Sequence, residues 1–266
     1  MIKAVLFDLG GTLHVTDSPE GRAIWFAERL LARLSDYGFV LREAPETLAA
    51  GLQSRAEEYK RETERSLTEW PSPRIWSEYF LRGYGLTAEE LEPFAEELSF
   101  LYDYERMRCM RRPNLKSTLE TLHRMGIRMG IISNIISCSV VPHFLMEYGI
   151  DRYMECVITS SSCGIRKPDA GIFRIAQDCM GLEAEELAYV GDTISRDVRG
   201  TRNAGWHTMI QIANPRAAHR DAGLDAGLYR PDYRISDLSE IPAIIGSINS
   251  AGIKGAKTSF ASNIIP

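Results

Sequence analysis

Residues 2–13, IKAVLFDLGGTL, decide the fold. The run 2–7 is apolar apart from Lys3, rich in strand formers, and too short for a helix. It stops at Asp8, followed by Gly10 and Gly11. A short apolar run ending in glycines reads as a strand buried on both faces that enters a tight turn. Similar runs recur at 127–132, ending at Ser133 and Asn134, and at 156–159, ending in serines. Two more follow, at 187–190, ending at Gly191 and Asp192, and at 207–212. Segments of helical period lie among them, at 117–125, 140–148, 170–180 and 197–204. Strands alternating with helices predict an α/β fold with a parallel, doubly wound, Rossmann-like sheet covered on both faces.

The stretch after the first strand differs. From Pro19 to Arg112 only helical patterns are visible, at 22–34, 46–65, 73–84 and 88–108, with breaks at Gly38, at Pro71 to Pro73 and at Gly85. Roughly ninety helical residues between neighbouring strands are too many for a plain loop. They predict an inserted all-helical domain over 16–112, with the α/β core formed by 1–15 plus 113–266. The tail after Ile245 is rich in Gly, Ser and Lys and is expected to be peripheral.

Composition narrows the function class. The 266 residues carry 31 Lys and Arg against 36 Asp and Glu, a net charge of −5. No basic footprint points to a nucleic-acid partner. The longest apolar stretches fall far short of the ~20 residues of a membrane span. The N-terminus runs directly into a strand without a signal-peptide pattern, so the expected compartment is the cytoplasm. The five cysteines show no C-x-x-C pair and read as reduced, packed thiols; Cys163, just before Gly164 and the basic pair, is placed either near the site or in packing alone.

Every notable polar cluster stands where a strand ends: Asp8 with Gly10, Gly11 and Thr12; Ser133 with Asn134; Arg166, Lys167 and Asp169; and Asp192 with Asp197. In open α/β sheets ligands bind outside the carboxyl ends of the strands, so these clusters should converge. Three acids, one lysine and several hydroxyl and amide donors describe a site for Mg²⁺ and a phosphoryl group. Hard oxygen ligands suit Mg²⁺, and a lysine with small polar donors balances and holds the phosphate oxygens.

The segments VLFDLGGTL, GIISN, GIRKPD and YVGDTISRD resemble the four ordered motifs of the haloacid dehalogenase (HAD) superfamily, with a helical cap inserted after the first. The resemblance covers the chain from Met1 to about Ile244. It implies that Asp8 is a nucleophile forming an aspartyl-phosphate, and that Ser133 and Asn134 hold the phosphoryl group; Thr12, by its place just past the nucleophile loop, is expected either to fix that loop or to touch phosphate. The resemblance further implies that Lys167 balances charge on Asp8 and the phosphoryl group. Asp8, Asp192, the main-chain carbonyl of Gly10 and Asp197, in or near the same shell, would serve the Mg²⁺. The expected partner is a small phosphorylated metabolite; neither the substrate nor the oligomeric state has a readable signature.

One departure stands out. Phosphatases of the family carry a second aspartate two residues after the nucleophile, which protonates the leaving group and then activates water. Here that residue is Gly10. General acids and bases contribute ~10²–10⁴-fold, so turnover should be slow or confined to good leaving groups unless another group substitutes. His14, at the junction of core and insertion, is one candidate donor; its alternative reading is a hinge histidine in contact with solvent. Other chemistries of the superfamily also omit the aspartate. Phosphonate hydrolysis would use a cap lysine, but Lys60 lies in AEEYKRETER, which reads as a solvated, salt-bridged face. The dehalogenase branch needs no metal, and the retention of Asp192 and Asp197 argues against it. A catalytically impaired phosphate-binding or regulatory module is the remaining alternative.

Neighbouring residues have plainer readings. Asp169 is placed to cap a helix, Arg166 to carry surface charge, and Thr193 or Ser195 to order the loop that also holds Arg196. The aromatics Trp25, Phe26, Trp70, Trp76, Tyr79 and Phe80 are expected to form the core of the helical insertion.

Overall fold

The computed structural model describes residues 1–217, 221 and 229–261, with the backbone alone for 252–261. Its main sheet is built from β1 (Ala4–Phe7), β4 (Arg128–Ser133), β5 (Met154–Thr159), β6 (Leu187–Gly191), β7 (Thr208–Ile212) and β8 (Tyr233–Ile235). The order is β5-β4-β1-β6-β7-β8, and every pairing is parallel. β1 thus lies between β4 and β6, at the point where the winding changes direction, which is where such sheets open a crevice.

Alternation along β1 explains why its apolar run is continuous. Val5 and Phe7 pack with Met129, Ile131 and Val190 on one face, while Ala4 and Leu6 pack with Ile132 and Tyr189 on the other. Helices α6 (Leu115–Arg124) and α7 (Val140–Glu147) cover the first face, and α9 (Ala170–Met180) covers the second; the short helices α8 (Ser160–Cys163) and α10 (Arg199–Asn203) follow β5 and β6.

The insertion contains α1 (Arg22–Asp36), α2 (Pro45–Ser66), α3 (Ser72–Ile75) running into a π-turn at Trp76–Phe80, α4 (Ala88–Leu91) and α5 (Ala95–Glu105). It has its own apolar cluster, centred on Phe26, Leu30, Trp76, Phe80 and Leu98. Trp25 instead lies at the surface, with the Arg22 guanidinium 3.9 Å above its ring. The segment 88–108, expected as one helix, is split at residues 92–94. Pro93 lacks the N–H that a continuous helix would need there.

The insertion is not purely helical. β2 (His14–Asp17) pairs antiparallel with β3 (Arg108–Arg111) and forms a ribbon at its base. Short strands such as RCMR, with charges at both ends, carry no apolar run to reveal them. A second seam joins Leu67–Glu69 to the segment after β5: Glu69 N donates to the Gly164 carbonyl (2.8 Å) and Arg166 N to the Leu67 carbonyl (2.9 Å). Helix α11 (Ile241–Ala261) buries Ile241 and Ile245, and beyond them Asn249 brackets the main chain of Ile2 with bonds of 2.6 and 2.9 Å. Among the described residues no helix is long and apolar enough to cross a membrane.

Candidate active site

The strand ends converge. Asp8 follows β1, Ser133 closes β4, Asp192 follows β6 and Lys167 lies on the loop before α9. Together with Gly10 and His14 they line a cavity of about 380 Å³ at the crevice of the sheet.

Lys167 is its hub. The ammonium is buried, 2.9 Å from Asp8 Oδ1 and 2.7 Å from Asp197 Oδ1, and it donates to the Tyr189 hydroxyl at 2.8 Å. Ser133 Oγ also donates to Asp8 Oδ1 (3.2 Å). Two donors therefore fix one oxygen of Asp8. Burial alone would lower the ammonium pKa; the Asp197 and Asp8 carboxylates outweigh it and hold Lys167 above its ordinary value. Burial would raise Asp197, but Lys167 and Thr193 keep it below the usual carboxylate range. Burial pushes the Asp8 carboxyl up; Lys167 opposes this and the Asp197 charge adds to it.

Asp8, Asp192 and Asp197 each offer a carboxylate oxygen within 4.8 Å of the others. This all-oxygen set suits a hard divalent cation such as Mg²⁺. Asp197 is nevertheless committed on both oxygens, one to Lys167 and the other to Thr193 N (2.9 Å) and Thr193 Oγ1 (2.6 Å). Its immediate work is to orient the lysine, and Thr193 orders the loop as its sequence position suggests. Asp192 accepts a bond from Asn214 Nδ2 at 2.7 Å. The turn below is held by Arg112, which donates to the Gly11 carbonyl (2.7 Å) and the Ala213 carbonyl (2.8 Å). Gly11 has φ +93°, and a Cβ there would lie 2.1 Å from Asp192 Oδ2. Only glycine lets the loop pass so close to that acid.

The other predicted residues divide. Asn134 lines the cavity, but its side chain is engaged with Lys167: Nδ2 donates to the Lys167 carbonyl (3.0 Å) and Oδ1 accepts from its N–H (2.9 Å). Thr12 is fully buried, its hydroxyl has no hydrogen-bond partner, and it is not among the residues facing the cavity. Cys163 is half-buried and directs its sulfur to the Thr159 carbonyl, away from the chemistry. Asp169 caps α9 by accepting from Gly171 N at 2.7 Å. Lys60 is exposed and 3.8 Å from Glu64, in keeping with a solvated face.

Two sequence readings are overturned. Arg166 is no surface charge: it is buried in an ion pair with Glu69, whose carboxylate also takes bonds from Tyr59 and Ser160. His14 is no solvent-exposed hinge. Only 3% of it is accessible, its Nδ1 is 3.0 Å from the Tyr148 hydroxyl, and its ring lies edge-on to Phe144 at 4.7 Å. Burial lowers its pKa to about 4, so it is neutral near pH 7 and poorly suited to donate a proton there. Its Nε2 lies 4.0 Å from where a Cβ on Gly10 would stand.

Tyr189, Asn214 and Arg112 were invisible as site residues. Tyr189 in particular reads as one more apolar residue in β6, yet its hydroxyl also donates to the Ile132 carbonyl (2.8 Å).

Known proteins resemble this chain over most of its length. The family described as haloacid dehalogenase-like hydrolase matches residues 2–205. A glyceraldehyde 3-phosphate phosphatase of Methanopyrus kandleri is 27% identical, covering 92% of this chain and 97% of its own. A phosphoserine phosphatase of Thermus thermophilus is 28% identical, covering 90% and 98%. The crystal structure of a HAD phosphatase from Thermococcus onnurineus superposes with a TM-score of 0.56 at 26% identity, over 92% of this chain and 98% of that one.

Proposed function

The chain belongs to the haloacid dehalogenase-like hydrolases, and we propose that it is a Mg²⁺-dependent phosphatase whose nucleophile is Asp8. The observation that carries this reading is the double hold on Asp8 Oδ1 by Lys167 (2.9 Å) and Ser133 (3.2 Å), beside Asp192. With one oxygen fixed, the other is the atom that would attack phosphorus. The bond between phosphorus and the ester oxygen breaks, and an aspartyl-phosphate forms on Asp8. Lys167 and Ser133 would share the donors they now give to Asp8 Oδ1 with an incoming phosphoryl oxygen, while Asn134 holds the main chain of Lys167 in place. Asp8, Asp192 and the Gly10 carbonyl would hold the Mg²⁺, which when bound would offset negative charge on the phosphoryl group. The helical insertion would act as the cap, closing over the cavity from the ribbon and the seam at Glu69.

Gly10 supplies no proton to the leaving oxygen and no base to the water that must later cleave the aspartyl-phosphate. His14 is the nearest ring nitrogen, but it is held neutral. Turnover should therefore be slow, limited by the second step, and the aspartyl-phosphate should accumulate. Phosphate release from an aryl phosphate in the presence of Mg²⁺, compared with Asp8→Asn, tests the reading. Release lost in the variant supports it. Binding of phosphate without release by either protein favours a phosphate-binding module instead.

A further inference from the structure

A second cavity, of about 430 Å³, opens directly off the first. Both are lined by Asp103, Arg106, Met107, Asn134 and Ile135, which form the neck between them. Beyond the neck the walls come from the helical insertion: Phe26 of α1, Leu52, Ala56 and Tyr59 of α2, Phe80 of the π-turn and Tyr102 of α5. These surfaces are carbon-rich, and the exposed side chains of Gln53, Glu57 and Lys60 form a polar rim. The neck itself is fixed. Asp103 Oδ2 accepts from Ile136 N (3.1 Å) and Ser137 N (2.9 Å), which ties α5 to the loop after β4. Arg106 packs over the Tyr102 ring at 4.5 Å, and its Nε is buried without a hydrogen-bond partner.

A phosphoryl group seated at Asp8 must direct the rest of its molecule somewhere, and the neck leads into this chamber. A cavity of about 150 Å³ already suffices to hold a benzene ring. Compact polar molecules such as glyceraldehyde 3-phosphate and phosphoserine, after which two relatives are named, have no apolar body to fill it. We propose, resting on the phosphatase reading above, that the substrate is a phosphomonoester with an apolar body of one or two rings, or its aliphatic equivalent. The phosphate occupies the Asp8 cradle, the polar neck with Arg106 faces the oxygen-bearing end of the body, and the carbon skeleton fills the chamber.

The test compares two non-hydrolysable probes, methylphosphonate and 1-naphthylmethylphosphonate, binding to the wild type and to Ala56→Trp by calorimetry with Mg²⁺ present. The naphthyl probe should bind the wild type at least about tenfold more tightly. Ala56→Trp, which fills the chamber, should erase that gain and leave methylphosphonate binding unchanged, which also reports an intact fold. Equal affinity of the two probes for the wild type overturns the apolar substrate class and leaves the phosphatase reading standing. Failure of both probes to bind overturns the phosphate cradle and this proposal with it. A gain that survives in Ala56→Trp places the apolar body elsewhere and overturns the assignment of the chamber. If Ala56→Trp does not fold, the ratio in the wild type still decides the substrate class.

Discussion

Lys167 and Asp197 form an ion pair of 2.7 Å in which neither side chain is more than 2% exposed. Asp197 titrates below the usual carboxylate range and Lys167 above its ordinary value. The stability that Asp197 contributes is complete above its unfolded pKa of about 3.9, and is lost as pH falls through the depressed folded value. The contribution of Lys167 is complete below its unfolded pKa of about 10.4, and is lost as pH rises through the elevated folded value. Asp197→Asn should therefore flatten the acid limb of a plot of unfolding midpoint against pH. It should also lower stability near neutrality by roughly 3 kcal/mol, since the lysine loses a buried partner and keeps Asp8. An unchanged acid limb would mean that the pair is not what titrates there.

The two glycines of the first loop should respond in opposite ways. A Cβ on Gly10 meets nothing nearer than His14 Nε2 at 4.0 Å, and its backbone is not in the left-handed region. Gly10→Asp should fold, and it should raise phosphate release from alkyl phosphates by ~10²-fold or more, the size of a general acid/base effect. Gly11→Ala should abolish Mg²⁺-dependent activity, because its Cβ would collide with Asp192 and φ is +93°. Steady-state kinetics on both variants checks the pair. Unchanged activity in Gly10→Asp would remove the missing proton relay as the cause of slow turnover.

These assignments show which parts of the site the sequence exposes. Asp8, Ser133 and Asp192 were legible because each closes or follows an apolar strand, and strand ends meet at the crevice; Lys167 lies past the short helix after β5, so only its motif marked it. Periodicity says nothing of partners distant along the chain. Arg166 read as surface charge because Glu69, which neutralises it, lies 97 residues away. The β2–β3 ribbon was hidden because its strands are four residues each and mostly polar or charged. Thr12 looked like a site residue because it follows the nucleophile, but its hydroxyl is buried without a hydrogen-bond partner and does not face the cavity. His14 was placed correctly at the junction, and only the packing of Phe144 and Tyr148 reveals that it is buried.

The Glu69–Arg166 pair joins the helical insertion to the core beside Lys167. Glu69→Leu alone should destabilise by about 3–5 kcal/mol, because it leaves a buried guanidinium without its countercharge. Adding Arg166→Met should recover much of that loss, since well-packed apolar pairs can replace buried ion pairs. Urea unfolding of the two single variants and the double variant measures this. Additive losses would show that the two side chains do not act as a unit.

Tyr189 offers the sharpest test of how Lys167 is held. Its hydroxyl accepts from the ammonium at 2.8 Å and donates to the Ile132 carbonyl at 2.8 Å, all within the core. With Asp8 and Asp197 it uses all three donors of the lysine. Tyr189→Phe keeps the ring packed against Phe173 and Trp206, so no cavity opens. What is lost is one acceptor for the lysine and one donor for the carbonyl. A buried group left unsatisfied costs about 1–3 kcal/mol, and the variant should lose that much stability. The loss should shrink when Lys167 is already Met, because half of the reason for the hydroxyl has gone. A double-mutant cycle of Tyr189→Phe with Lys167→Met should therefore give a coupling of about 1 kcal/mol. A coupling near zero would assign the hydroxyl to the Ile132 carbonyl alone and leave the lysine positioned by its two carboxylates.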